Sequence, residues 1–155
     1  SQYPDAEVKI LVRFAMKPVD VRETLVVISH TKNGANRRGN GYWLNPYSGR
    51  AYAYLPYDMK PWPKSAWYGI KLRVGTSEVF PMLRGCWRRG WEEDHHGEWP
   101  LFKLTDWREA LVVVAAHEAK HNEYQREGIK QGASAELRCE LYAAEMLERY
   151  RTQPC

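Results

Sequence analysis

The sequence predicts an α+β fold in which a small, mostly antiparallel sheet from residues 6 to 82 packs against two principal C-terminal helices. Short apolar or alternating runs are separated by turn residues in the first part of the chain, and helical periodicity replaces them later. Gly128 and Gly132 separate the two predicted helices. We therefore expect a single domain, sheet-rich over residues 1–104 and helical over residues 105–151.

The strands are predicted from apolar patterning. Apolar and charged residues alternate over residues 8–14, which is typical of a half-buried strand. Residues 25–28 are a short, largely β-branched run, which favours a more buried strand. Residues 42–55 are typical of a hairpin around a turn, and residues 67–74 and 78–82 indicate two further strands.

Two helices are predicted in the last third of the chain. Thr105 or Asp106 is expected to cap the first, whose early turns are apolar on most sides and therefore buried. Ser134 is expected to cap the second, over residues 135–151. The inner stripe of this last helix is expected to consist of Leu137, Leu141, Ala144 and Leu147.

Composition favours an ordinary globular protein, with 44% hydrophobic and 27% charged residues. No apolar run approaches the ~18 residues of a membrane span, and no signal peptide is visible. The cysteines Cys86, Cys139 and Cys155 have neither a disulfide framework nor the paired spacing of a thiolate zinc site. A cytoplasmic, reducing location without membrane contact is the expectation. The net charge of +4 alone indicates no particular partner.

The strongest chemical signal is the sequence His-Glu-Ala-Lys-His at residues 117–121. On a helix, His117 and His121 lie one turn apart on the same face, so both imidazoles can bind one zinc ion. Glu118 lies ~100° around the helix, where it can reach a water molecule on the metal without being a ligand. The motif predicts one zinc ion per chain, with Glu118 as the general base of a hydrolytic reaction.

A catalytic zinc ion usually has three protein ligands and one open position. Because no histidine follows His121, the third ligand is either acidic or upstream. An antiparallel last helix could place Glu136 at the metal and let Glu140 accept a hydrogen bond from a ligating histidine. Glu140 is the alternative third ligand. Without a metal, Glu136 is explained as an acidic residue in the first turn of a helix, where its negative charge interacts favourably with the helix dipole.

The His-Glu-Ala-Lys-His motif, a short loop and the Glu-Leu-Arg-Cys-Glu sequence at residues 136–140 together resemble the gluzincin metallopeptidases, and the short chain resembles the minigluzincins. The resemblance covers residues 107–150, with Glu140 where the pattern prefers Asp. It implies a zincin-like fold with an active-site helix and a glutamate helix, and zinc-dependent peptide hydrolysis. It also implies an edge strand that aligns the peptide or protein substrate, for which residues 67–74 or 78–82 are the candidates.

In such peptidases a tyrosine or histidine usually helps to stabilise the oxyanion. Tyr142 and Tyr124 are the tyrosine candidates. The adjacent His95 and His96 are the histidine candidates, although their acidic loop is more typical of solvent exposure.

A different class of function is a non-catalytic zincin-fold binding module that contacts nucleic acid or a protein partner. Residues 84–91 interleave arginine and tryptophan, which suits phosphate contact and base stacking. The acidic residues 92–94 follow directly and oppose a phosphate groove, so nucleic acid is the less favoured partner. A filled fourth zinc position, or a blocked groove above Glu118, would favour the binding module.

Overall fold

A computed structural model describes residues 3–31, 48–55, 59–75, 80–84, 99–130 and 132–153, and within them the fold is α+β. The described helices are α1 (Asp5–Met16), α2 (Trp107–Arg126) and α3 (Ala133–Thr152). The described strands are β1 (Thr24–Thr31), β2 (Ser48–Tyr52), β3 (Tyr68–Gly75), β4 (Met82–Arg84) and β5 (Phe102–Leu104).

The main sheet has three strands in the order β1-β3-β2. Strand β3 pairs parallel with β1, so that Ile70 faces Val26, and antiparallel with β2, so that Leu72 faces Gly49. Strands β4 and β5 form a separate antiparallel pair. The prediction of a mostly antiparallel sheet was therefore wrong for the main sheet, which is mixed. The strand predicted at residues 67–74 is confirmed, but it is the central strand, so its assignment as an edge strand was wrong.

Residues 8–14 form part of helix α1, so the predicted strand there was wrong. The buried residues of this helix follow a helical period of three and four: Val8, Leu11, Val12, Ala15 and Met16. Every second residue of residues 8–14 is also apolar, which is why the pattern fitted a strand, but the adjacent buried pair Leu11 and Val12 fits only the helix.

The strand predicted at residues 25–28 is confirmed within β1. Of the hairpin predicted over residues 42–55, the second arm corresponds to β2, whereas residues 42–47 lie outside the described residues. Of the strand predicted at residues 78–82, residues 78 and 79 lie outside the description, and β4 begins only at Met82.

Helix α2 is the centre of the core. Every residue from Ala110 to Ala116 is fully buried, because α1, α3 and the main sheet all pack against this helix. Asp106 caps its first turn as predicted, with its carboxylate accepting a hydrogen bond of 3.0 Å from the Glu109 amide. None of the described helices is long and apolar enough to cross a membrane.

The last helix begins at Ala133, two residues earlier than predicted. Gly132 is the N-cap of α3, and Ser134 lies inside the helix, so the capping role predicted for Ser134 was wrong. The predicted inner stripe was also partly wrong, since Leu141 is 48% exposed. The face that packs inward instead carries Ala135, Cys139, Glu140, Ala143, Met146 and Leu147.

An ion pair between a buried carboxylate and an exposed guanidinium joins the start of α2 to the end of α3. Arg151 near the end of α3 donates to both carboxylate oxygens of Glu109, at 2.6 and 2.9 Å. Thr105 donates to the same carboxylate through its amide and its hydroxyl, at 2.8 Å each. Arg151, helped by Thr105, lowers the pKa of Glu109 to about 2.

We expect Glu109→Gln to lower the free energy of unfolding by about 1–3 kcal/mol at pH 7, because a charge-assisted hydrogen-bond pair is lost. The folded-state pKa lies below the ordinary value, so the stabilisation is complete above pH ~4.5 and is lost as the pH falls toward 2. Urea unfolding of both proteins at several pH values should show their difference shrinking over that range.

The matched control is Glu145→Gln, which removes an exposed pair with Arg149 on the same helix. Exposed pairs of this kind contribute about 0.3–0.5 kcal/mol. A loss at pH 7 no larger than that of the control would contradict the role given to Glu109.

Candidate metal centre

Three side chains from α2 and α3 converge on one point. His117 and His121 lie one turn apart on α2, and their Nε2 atoms are 3.1 Å from each other. Glu136 in the first turn of α3 brings one carboxylate oxygen to 2.9 Å from His117 Nε2 and the other to 2.8 Å from His121 Nε2. The structure therefore brings together all three residues that the sequence predicted as ligands.

Glu140 lies behind His117, one helical turn beyond Glu136. Its Oε1 is 2.7 Å from His117 Nδ1, and the side chains of Glu140 and His117 are 1% and 4% exposed. This contact places the Nδ1 proton of His117 against a carboxylate, so the Nε2 atom of the neutral imidazole presents a lone pair to the cluster. Glu140 thus orients the ring, as the carboxylate behind a ligating histidine commonly does.

The lone pairs of the two Nε2 atoms and of the Glu136 carboxylate point at one another, so a positive charge is needed between them. In the absence of a metal ion a proton supplies it: burial opposes the charged imidazole, but the carboxylates of Glu136 and Glu140 outweigh burial and raise the pKa of His117. The pKa of His121 is also raised, and that of Glu136 is lowered by the two histidines although burial acts against this. A metal ion would replace that proton, so metal binding releases protons and strengthens as the pH rises.

The donor set fits a transition-metal ion. Ligand bonds of ~2.0–2.2 Å around a tetrahedron separate neighbouring donor atoms by roughly 3.3 Å. The three donor atoms lie within 4.8 Å of one another, so small side-chain rotations bring them to such a geometry. Two imidazole nitrogens and one carboxylate oxygen suit a borderline first-row ion rather than calcium or magnesium, which prefer oxygen ligands.

The turn between α2 and α3 sets this convergence. Gly128 follows the end of α2 with a φ of 71°, a left-handed conformation that favours glycine. The Ile129 amide then donates to the Tyr124 carbonyl at 2.9 Å, and Ile129 packs against the small cluster of Tyr124, Ala135 and Cys139. The chain reverses within a few residues, so the first turn of α3 lies beside the last turns of α2.

Glu118 faces strand β2. It is 7% exposed, and a Cβ atom added at Gly49 would lie 2.5 Å from Glu118 Cγ and 3.1 Å from its Cδ. Glycine at position 49 therefore permits the Glu118 side chain to lie directly against the strand backbone. One turn farther along α2 than His121, Gln125 donates to the Ala51 carbonyl of β2 at 2.9 Å, which fixes the strand along the helix.

Gly49 is a site residue that the sequence analysis missed. It falls in the hairpin predicted over residues 42–55, to which no site role was assigned, and the structure places it within β2. A glycine within a strand can indicate the close approach of another group, and that was the available signal. Nothing local in the sequence connects it with Glu118, which is 69 positions away.

The structure places the remaining site candidates as follows. The Tyr142 hydroxyl donates to the Ala15 carbonyl of α1 at 3.0 Å, rather than to a group of the cluster. Tyr124 is buried, and the Lys120 ammonium lies 5.3 Å from the centre of its ring. His95 and His96 lie outside the described residues, as do residues 85–91 of the proposed nucleic-acid segment, so those interpretations stay predictions.

Comparison of the chain with protein-family models, curated proteins and solved structures gave no match.

The two glutamates of α3 should differ in their effect on metal affinity. Glu136→Ala removes one of the three candidate ligands, whereas Glu140→Gln keeps an acceptor for His117 and should weaken Zn²⁺ binding by only ~10–100-fold. Glu136→Ala should therefore weaken binding more than Glu140→Gln does. Competition with a chelator of known affinity, at one fixed pH, measures both.

Glu148→Ala, an exposed glutamate farther along α3, is the control and should bind Zn²⁺ as the wild type does. Circular dichroism of each variant establishes that α3 is still folded. Wild-type affinity in Glu136→Ala, combined with loss of binding in Glu140→Ala, would replace the ligand set by His117, His121 and Glu140.

Proposed function

We propose that this protein is a zinc-dependent metallopeptidase of the gluzincin type. His117, His121 and Glu136 hold the zinc ion, and Glu118 is the general base. One observation carries the proposal: two imidazoles and a carboxylate from adjacent helices converge on one point, with the carboxylate of Glu140 oriented behind the first imidazole. A helix face that was merely buried would not need this arrangement of four titratable groups.

When bound, zinc would act as a Lewis acid and lower the pKa of a water molecule toward ~7. Glu118 follows His117 directly on α2 and is held against β2, beside the ligands but outside the ligand set. In the proposed reaction its carboxylate accepts the proton of the attacking water and then donates it to the leaving amine of the peptide. Tyr124 is the better candidate for stabilising the oxyanion, because the Tyr142 hydroxyl bonds to Ala15.

Strand β2 replaces the two strands that the sequence suggested for aligning the substrate. It is an outer strand of the described sheet, and it runs along the same helix that carries the metal ligands. A substrate backbone that extends the sheet at β2 would lie over Glu118 and the metal ligands. The substrate class that follows is an extended peptide or an unfolded segment of a protein.

The first test is the hydrolysis of quenched fluorescent peptides by the zinc-loaded protein. We expect cleavage that a chelator abolishes and that added zinc restores. Glu118→Gln should keep its zinc and lose hydrolysis by at least ~100-fold, because only the proton acceptor is removed. Elemental analysis and initial rates measure the two effects.

Glu123→Gln, on the same helix, is the matched control and should cleave as the wild type does. A Glu118→Gln variant with the wild-type rate would show that Glu118 is not the base. Zinc-loaded wild-type protein that cleaves no peptide of a diverse library would reject the peptidase and favour the non-catalytic binding module.

The second test concerns the contact between β2 and Glu118. Gly49→Ala places a methyl group within 2.5 Å of Glu118 Cγ and 3.0 Å of Leu72 Cδ2, so the carboxylate must shift. Because a misplacement of ~1 Å can cost about 100-fold in rate, we expect kcat to fall ~10–100-fold while zinc affinity stays unchanged. Gly132→Ala is the control, since a Cβ atom there contacts nothing within 4 Å. An unchanged kcat in Gly49→Ala would show that this contact does not position the base.

A further inference from the structure

A cavity lies between helix α1 and strand β1, on residues that take no part in the metal centre. Its volume is about 680 Å³, within the range of ~300–1,000 Å³ that is usual for small-molecule sites. Its lining comes from α1, β1 and the segment that connects them, and it includes no residue of α2 or α3.

The floor of this cavity is aliphatic. Seven of its lining side chains are valine, isoleucine or methionine, among them Val12 and Met16 of α1 and Ile28 of β1. Among the residues that the structure describes, the lining includes no serine, threonine, asparagine or glutamine, and its one aromatic ring is His30. Such a floor offers no side-chain amide or hydroxyl to recognise a sugar or a peptide group. It suits a hydrocarbon chain.

The rim of the cavity is positively charged on one side. Lys9, Arg13 and Lys17 follow one another at intervals of four residues, so they form a row about 12 Å long on α1. All three are exposed, and none forms an ion pair with any residue in the described part of the chain. Their aliphatic stems can cover apolar surface while the charged ends meet an anion.

The charge is unevenly distributed along the cavity. Asp5 and His30 line one end, where the centre of the Tyr3 ring lies 5.9 Å from that of His30, whereas Arg13 and the C-cap residue Lys17 lie at the opposite end of α1. We infer that this cavity binds a small amphiphilic anion, a single aliphatic chain that carries a carboxylate. The chain lies on the aliphatic floor, and the carboxylate lies at the end of Arg13 and Lys17.

Dodecanoate is the probe, and its displacement of a fluorescent polyene fatty acid from the intact 155-residue chain measures binding. At 0.15 M salt, where the screening length is ~8 Å, saturable binding is expected. Affinity should rise about fourfold for each methylene added between octanoate and dodecanoate. Methyl dodecanoate, which has the same chain without the charge, should bind at least ~10-fold more weakly.

Two variants locate the site. Arg13→Glu with Lys17→Glu changes only exposed side chains, and it should weaken dodecanoate at least ~10-fold while leaving methyl dodecanoate unchanged. Lys64→Glu with Lys130→Glu makes the same charge change at exposed positions outside the cavity and should have no effect. Val26→Phe, at a half-buried lining position, should reduce the binding of both probes by filling the cavity.

Several results would overturn the inference. These are the absence of saturable binding, equal affinities for the acid and its methyl ester, or an equal loss in the control variant. Removal of metal by a chelator should leave binding intact, since a carboxylate that requires the metal would be bound at the metal centre instead. Displacement of the tracer by an acidic peptide but not by dodecanoate would assign the cavity to a different partner.

Discussion

The burial of charged and polar groups inside an otherwise apolar helix pair is the constraint on which the rest of the structure depends. His117, Glu118 and Glu140 are each less than 10% exposed, and an isolated charge in such a place is strongly destabilising. Each therefore requires a partner at a fixed distance, and His117 and Glu140 are partners of each other across the two helices. Ala119 and Ala143 have small buried side chains, which allow the helices to pack closely. The geometry of the cluster thus depends on close helix packing, and the packing tolerates the cluster because its charges are compensated.

Helix α2 must keep one orientation about its own axis if the buried charges are to keep their partners. Contacts at both ends of the helix fix that orientation. At the first turn, Asp106 caps the helix and Glu109 is tied to the end of α3 through Arg151. At the last turns, Arg126 donates to the Thr24 hydroxyl of β1 at 2.6 Å and lies over the Tyr68 ring of β3 at 4.2 Å. The metal cluster therefore lies on a helix whose two ends are fixed by separate parts of the fold.

The sequence predicted the local features of this protein well and the non-local ones poorly. The ligand spacing on α2, the cap at Asp106 and the antiparallel return that brings Glu136 to the histidines all follow from helix geometry within a short segment. The parallel pairing of β1 with β3 could not be predicted in this way, because a short apolar run has the same pattern whether its strand pairs parallel or antiparallel.

Two errors have a similar origin in short patterns. Residues 8–14 fit a period of two nearly as well as a helical period, and only the burial of the adjacent Leu11 and Val12 decides for the helix. On α3, the leucine at position 141 was expected inside, but Glu140 occupies the inward position because it pairs with His117. Binary patterning assigns apolar residues to the core, so it fails where a buried polar group takes the place of an apolar one.

The short reversal between α2 and α3 also affects how the protein would fold around a metal ion. His121 and Glu136 are only 15 residues apart, so the loop that joins the ligands closes at a small cost in chain entropy. The ligand set can therefore assemble within one helical hairpin before β1 and β3, which are distant in sequence, have paired. If the cluster binds a metal ion, a partly unfolded chain that keeps this hairpin would keep affinity for it. Bound metal would then raise the free energy of global unfolding by less than its affinity for the native protein predicts. The reason is that the ion would also stabilise the partly unfolded chain with which the native state is compared.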